Sequence, residues 1–176
     1  MINYRVANKS DAINIAGLHA RNWKLYYRSA LREEYLKNEV DAERLAAWTK
    51  RLLVPGPNQQ IIIAEENQTL VGFACTFLND DPFWGAYLDN LHVAPEYKGK
   101  GIGYELMYRS AGIVLNKNAN AKLYLWVLVD NIPAIKFYEK LGGERAELKE
   151  QTMPDGSKVE TYRYAWKHVE ALINNR

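Results

Sequence analysis

Apolar residues change their spacing along this chain often enough to divide it into short segments of two kinds. Ile2-Asn3-Tyr4-Arg5-Val6 alternates apolar and polar positions, the period of a half-buried strand. Asn8-Lys9-Ser10-Asp11 supplies side chains suited to a helix N-terminus, and Ile13, Ala16, Leu18 and Trp23 then mark one side of a helix. Residues 31–39 fit a short second helix. Asp41 opens a third, in which Leu45, Trp48, Leu52 and Leu53 recur until Pro55-Gly56-Pro57-Asn58 ends it. Two strands follow, 60–65 and 69–78, joined by the tight turn Glu66-Asn67-Gln68. A loop, Asn79-Asp80-Asp81-Pro82, leads through Phe83-Trp84-Gly85 into a strand over 87–93. Leu106, Met107, Ala111, Val114 and Leu115 trace a long helix; 122–129 is a strand, and 131–141 a helix with Pro133 in its first turn. Segments 144–151 and 158–165 pair across Met153-Pro154-Asp155-Gly156, and 167–176 is a short helix or frays.

This order predicts one α/β domain with a mixed sheet over 1–176: a strand and helices in 1–58, a core in 87–143, and a closing hairpin and tail in 144–176. No repeat, low-complexity tract or linker divides it. Composition adds exclusions. At 48% apolar and 25% charged residues the chain is of ordinary globular make-up. A formal charge of +2 gives no reason to expect nucleic acid or an anionic membrane as partner. The single cysteine, Cys75, rules out an internal disulfide framework and a thiolate metal site, and its apolar surroundings make it a core residue. No metal is expected. No apolar run reaches the length of a membrane span and no signal peptide opens the chain, which points to a cytoplasmic protein.

The chemistry concentrates between a strand and a helix, at Lys98-Gly99-Lys100-Gly101-Ile102-Gly103. Three glycines in five residues free the backbone to approach a ligand closely, and the helix that follows aims its free N–H groups and positive dipole end at one point. Such a point suits a phosphate or pyrophosphate, with Lys98 and Lys100 beside it. The run is neither G-x-x-x-x-G-K-[ST] nor G-x-G-x-x-G, so the P-loop and the dinucleotide fingerprint are excluded.

The run resembles the acetyl-CoA signature Q/R-x-x-G-x-G/A of the GCN5-related N-acetyltransferases, with Lys98 standing where the family carries Gln or Arg. Asn131 with Ala134-Ile135-Lys136-Phe137-Tyr138-Glu139-Lys140-Leu141-Gly142 resembles the family's second block, N-x-x-A-x-x-F-Y-x-K-x-G. Together the blocks span roughly 87–143. The resemblance implies a mostly antiparallel mixed sheet with helices on both faces and splayed central strands. It implies acetyl-CoA as co-substrate, held by Lys98 to Gly103 and Tyr104, by Asn131, and by the strand Leu91-His92-Val93, whose Leu91 and Val93 backbone would pair with the pantetheine arm. It also implies that Tyr138 protonates the leaving thiolate; read from the residues alone, Tyr138 is a core aromatic beside Phe137.

The general base does not carry over, because the glutamate some relatives use falls at Tyr87. Asp89, His92 and Glu96 are near. Strand alternation puts Asp89 on the same face as Leu91 and turns His92 outward to solvent, which favours Asp89; a water chain is the rival. The acceptor pocket implied by the resemblance draws on His19, Trp23, Tyr26 and Tyr27, on Asp80, Asp81, Phe83 and Trp84, and on Met153 to Gly156. Aromatic walls and a carboxylate there suit a cationic amine on an apolar body, whereas Trp23 and Trp84 are also natural core residues and the aspartates natural turn formers. The expected activity is direct acetyl transfer to a primary amine of a small molecule or peptide; the absence of the glutamate leaves an acyl-CoA-binding regulatory module as the alternative. The aromatic run 162–166 either pairs across a homodimer interface or completes the chain's own core.

Overall fold

The computed structural model of the chain describes residues 1–174; Asn175 and Arg176, the end of the expected tail, lie outside the described residues. Seven strands, β1 (Ile2–Val6), β2 (Gln59–Glu66), β3 (Thr69–Asp81), β4 (Gly85–Val93), β5 (Leu123–Leu128), β6 (Glu144–Thr152) and β7 (Lys158–Trp166), form one sheet in the order β1-β2-β3-β4-β5-β7-β6. Six helices accompany them: α1 (Ala12–Tyr26), α2 (Glu33–Asn38), α3 (Val40–Leu53), α4 (Ile102–Lys117), α5 (Ile132–Lys140) and α6 (Glu170–Asn174). Every pairing is antiparallel except β4 with β5.

The sheet separates two cores. On one face Leu106 and Met107 of α4 pack with Leu88, Leu123 and Leu125; on the other Ile15 and Trp48 of α1 and α3 pack with Ile61, Ile63 and Phe73. Leu106, Met107 and Leu125 are fully buried, each contributing about 1.5–3 kcal/mol by removal from water. Local chemistry fixes the joins. Asn8 caps the turn before α1 and the Asp11 carboxylate accepts the Asn8 N–H, a reciprocal pair that starts the helix. Asn67 and Gln68 adopt left-handed backbone and reverse the chain between β2 and β3.

Two expectations change, and an alternative left open for residues 162–166 is narrowed. Strand β3 runs to Asp81 rather than stopping at residue 78, because Asp81 pairs with Gly85 and its carboxylate accepts the N–H groups of Phe83 (2.7 Å) and Trp84 (2.8 Å). Asp41 does not cap α3: it lies inside the first turn, in an ion pair with Lys24. Strand β7 is interior to the sheet, so Tyr164 and Trp166 are consumed in the chain's own core.

Candidate active site

Strands β4 and β5 pair only at Ala86↔Leu123 and Tyr87↔Tyr124. At that seam Gly85 has φ +86°, and a Cβ there would fall 2.3 Å from the Lys122 carbonyl oxygen, so only glycine lets the strands meet. Beyond Tyr87 the strands diverge around a cavity of about 650 Å³ lined by both of them, by the glycine loop and by α5.

The loop builds one end of this cavity. Gly99 (φ +77°) and Gly101 (φ +79°) are left-handed, and the space where a Cβ would stand is open at each. Gly101 is the N-cap of α4 and supplies no side-chain acceptor, which leaves the first-turn N–H groups without a cap. A Cβ added at Gly103 would stand 3.7 Å from Phe137 and Val93, so α4 approaches β4 and α5 here. The lysines fold onto rings: Lys98 Nζ lies 3.6 Å from the centre of Tyr26, and Lys100 Nζ lies 4.4 Å from that of Tyr97, outside the cavity wall. Asn131 accepts the Ala134 N–H and so caps α5, while its side chain lines the cavity.

Across the wedge Tyr138 is buried against Phe137, Tyr164 and Trp166, and burial holds its phenol protonated far above the ordinary tyrosine range. Tyr27 stacks on Trp23 and faces the same space; burial and then the charge of Asp89 push its phenol up to about 12.

Asp89 sits in a β-bulge. Cys75 pairs with Asn90 and Thr76 with Leu88, so Asp89 has no partner on β3 and the alternation slips by one. Leu88, Leu91 and Val93 therefore pack toward α4, while Asp89 meets Arg51 of α3 on the opposite face. The expectation that Asp89 shares the face of Leu91 is corrected by this bulge. Its carboxylate lies 2.6 Å from Arg51 Nη1, accepts Asn90 Nδ2 at 2.5 Å, and is engaged by the Tyr87 hydroxyl.

His92 is not turned out to solvent. Its ring stacks on Phe73 (5.2 Å) and lies 4.5 Å from His19, with Nδ1 3.3 Å from Asn22 Nδ2. Burial, then Lys98 and Arg44, push its pKa down to about 3, so it is neutral at physiological pH. His19 is depressed by burial as well and accepts Trp48 Nε1 at 3.0 Å.

The sequence profile described as the acetyltransferase (GNAT) family matches residues 21–143. The chain belongs to that family. A Bacillus subtilis protein named as an uncharacterized N-acetyltransferase, YuaI, is 22% identical over 98% of this chain and 96% of its own. A Bacillus subtilis protein named as a putative ribosomal protein bS18-alanine N-acetyltransferase is 27% identical over 66% of this chain and 78% of its own. A Methanocaldococcus jannaschii protein named as an uncharacterized N-acetyltransferase is 29% identical over 60% of this chain, and the match spans 48% of that longer relative. The fold is shared with the PaiA N-acetyltransferase of Thermoplasma acidophilum, solved with coenzyme A (TM-score 0.69, 21% identity, 93% of this chain and 99% of that one). It is shared too with a Salmonella typhimurium protein named as a putative acetyltransferase and solved with acetyl-CoA (TM-score 0.65, 19% identity, 94% of this chain and 92% of that one).

Within this GNAT sheet the remaining expected acceptor residues divide. Tyr26 and Tyr27 line the cavity; Trp23, Asp81 and Trp84 do not. Trp23 is core, packed with Leu31 and Tyr35 beneath the Arg44 guanidinium. Asp81 builds the β3–β4 turn, and Trp84 stacks on Arg163 at the far side of the seam. Glu96 is exposed and paired with Arg21. Two wall residues carried no sequence signal for this role: Asn22, on the buried side of α1, and Trp126, on β5. No helix among the described residues is long and apolar enough to cross a membrane.

Proposed function

We propose that the chain is an acetyl-CoA-dependent N-acetyltransferase that moves an acetyl group directly to a primary amine in a ternary complex. The observation that carries this reading is a glycine-lined, uncapped α4 N-terminus opening onto the wedge between β4 and β5. The residues fit the cofactor: the space beyond Gly99 and Gly101 is open, and free N–H groups suit a pyrophosphate. Acetyl-CoA supplies the acyl group as a thioester.

The chain's own groups do the rest. Leu91 and Val93 lie beyond the end of the β4–β5 ladder with no β5 residue paired to them, which suits an extended arm adding itself as a strand on that side. Asp89 takes the proton of the incoming ammonium, leaving the nitrogen lone pair free to form the N–C bond. Tyr138, held protonated by burial, gives its proton to the sulfur as the C–S bond breaks, and the second proton shed by the nitrogen once the N–C bond has formed returns to the Tyr138 phenolate. Transfer is direct because the one cysteine, Cys75, is fully buried, and burial pushes its thiol up to about 12.

The test is calorimetric titration with acetyl-CoA of the native chain and of Gly101→Asp, followed by CoA release with an amine panel. Micromolar binding lost in the variant, and release with an amine, support the reading. Failure of the native chain to bind overturns it, and binding without turnover marks a regulatory acyl-CoA module instead.

A further inference from the structure

Asn22 and His92 fix each other's chemistry. Asn22 Nδ2 lies 3.1 Å from the Val93 carbonyl oxygen, an atom that only accepts, so the group placed there is the amide nitrogen. The same nitrogen lies 3.3 Å from His92 Nδ1 and has a second hydrogen to give it. A ring nitrogen that faces a donor must accept, so Nδ1 keeps its lone pair and the ring proton stands on Nε2. A proton on Nδ1 would set two donors against each other, so Asn22 holds the ring neutral as well as in one tautomer; burial acts in the same direction. Nε2 is the atom left over. Among the described residues nothing pairs with it, and unlike Asn22 Oδ1 it is not sealed off. His92 is half-buried and lines the cavity beside Asn22, Tyr26 and Tyr27, so this atom opens onto the cavity.

His92 therefore offers the cavity a fixed donor and no lone pair. That removes it as a base and suits an oxygen of a ligand. Strand geometry separates the two ligands. Backbone hydrogen bonds of β4 lie in the plane of the sheet, whereas its side chains stand across that plane. A cofactor arm laid along Leu91 and Val93 uses its polar groups in the plane, while the His92 ring stands on the α1 side with His19 and Asn22. An oxygen that only accepts is the complement of a nitrogen that only donates. We infer that His92 is a specificity-determining residue that gives its Nε2–H to a carbonyl oxygen of the acceptor, so that amines carrying an amide gain from it and plain alkylamines do not. This inference rests on the acetyltransferase reading.

The test pairs glycylglycinamide with hexylamine, which has the same chain length and no oxygen. The ratio of their kcat/KM values should fall about tenfold from the native chain to His92→Phe, which keeps a ring against Phe73 and loses the N–H, while the acetyl-CoA dissociation constant is unchanged. A second measurement needs no variant. Long-range proton–nitrogen correlation spectra of the native protein should show His92 as the neutral Nε2–H tautomer between about pH 5 and 8. Its Nε2–H proton should move downfield when glycylglycinamide is added to the CoA-saturated protein and stay in place with CoA alone. An unchanged ratio in His92→Phe, a lone pair at Nε2, or a proton that moves with CoA alone overturns the inference and leaves the acetyltransferase reading standing. Acetyl-CoA binding with no CoA release for any amine overturns both.

Discussion

Arg51 Nη1 lies 2.6 Å from Asp89 Oδ2, joining the last turns of α3 to the bulge of β4. The guanidinium is stacked over Trp48 (5.0 Å) and lies 5.5 Å from the centre of Phe77, so its direction is fixed before it meets the carboxylate. Arg51 is thus a positioning residue for Asp89. Arg51→Met should lower kcat/KM for the amine roughly tenfold without changing the affinity for acetyl-CoA, and Arg51→Lys should recover part of the loss. Unaltered kinetics in Arg51→Met would show that Asp89 does not need this partner.

Tyr138→Phe removes the phenol proton and keeps the ring against Tyr164 and Trp166. Turnover should fall about 10²-fold with the acetyl-CoA dissociation constant unchanged. Because burial raises this pKa, the native enzyme should keep activity up to the ordinary tyrosine range near pH 10 without a basic limb assignable to Tyr138. Full turnover by Tyr138→Phe would remove Tyr138 from the mechanism.

The two stacked histidines make the fold sensitive to acid. An unfolded His92 takes up a proton near 6.5, whereas in the native fold it does so only near 3. Between these values the unfolded state binds more protons, so stability present above pH 6.5 is lost as the pH falls; His19, shifted in the same direction, adds to the slope. Thermal melts from pH 7 to 4 should show a steep fall in Tm, shallower in His92→Gln by about one proton's worth of slope. Identical slopes in the two proteins would contradict this account.

Gly85→Ala tests the seam. A methyl group 2.3 Å from the Lys122 carbonyl, on left-handed backbone, should cost about 3 kcal/mol and lower Tm by roughly 10 °C. Near-native Tm would mean that the strands can meet elsewhere.

The β6–β7 tip is tied to the turn after α1. Asp155 Oδ2 accepts the Arg32 N–H at 2.7 Å, and Met153 packs, as Tyr27 does, against the cluster of Trp23, Leu31 and Tyr35. Asp155→Ala should destabilise the fold by about 1–2 kcal/mol and raise KM for the amine more than it lowers kcat. Loss of kcat alone would place the effect elsewhere.

Much of this was legible in the chain. The cap at Asn8, the turn at Asn67 and the spacing of Leu106, Met107 and Val114 gave the elements, and the glycines and Asn131 pointed to residues that line the cavity. The strand that carries Asp89 was misread at the bulge. A strict period of two pairs Asp89 with Leu91, yet the apolar positions Ala86, Leu88, Leu91 and Val93 already slip phase between 88 and 91. That slip was the available sign. For Trp23, Trp84 and Asp81 no such sign exists, since an aromatic in a wall and an aromatic in a core have the same local sequence, and only long-range packing separates them.

The seam at Gly85 and Tyr87 has one more consequence. Strands β1 to β4 form one leaf and β5, β7 and β6 another, and backbone hydrogen bonds join the leaves along only two residue pairs. The angle between the leaves is the one dimension of this sheet that its own ladder does not set. Whatever lies in the wedge completes the sheet, so occupancy of the cavity and rigidity of the whole molecule are a single equilibrium.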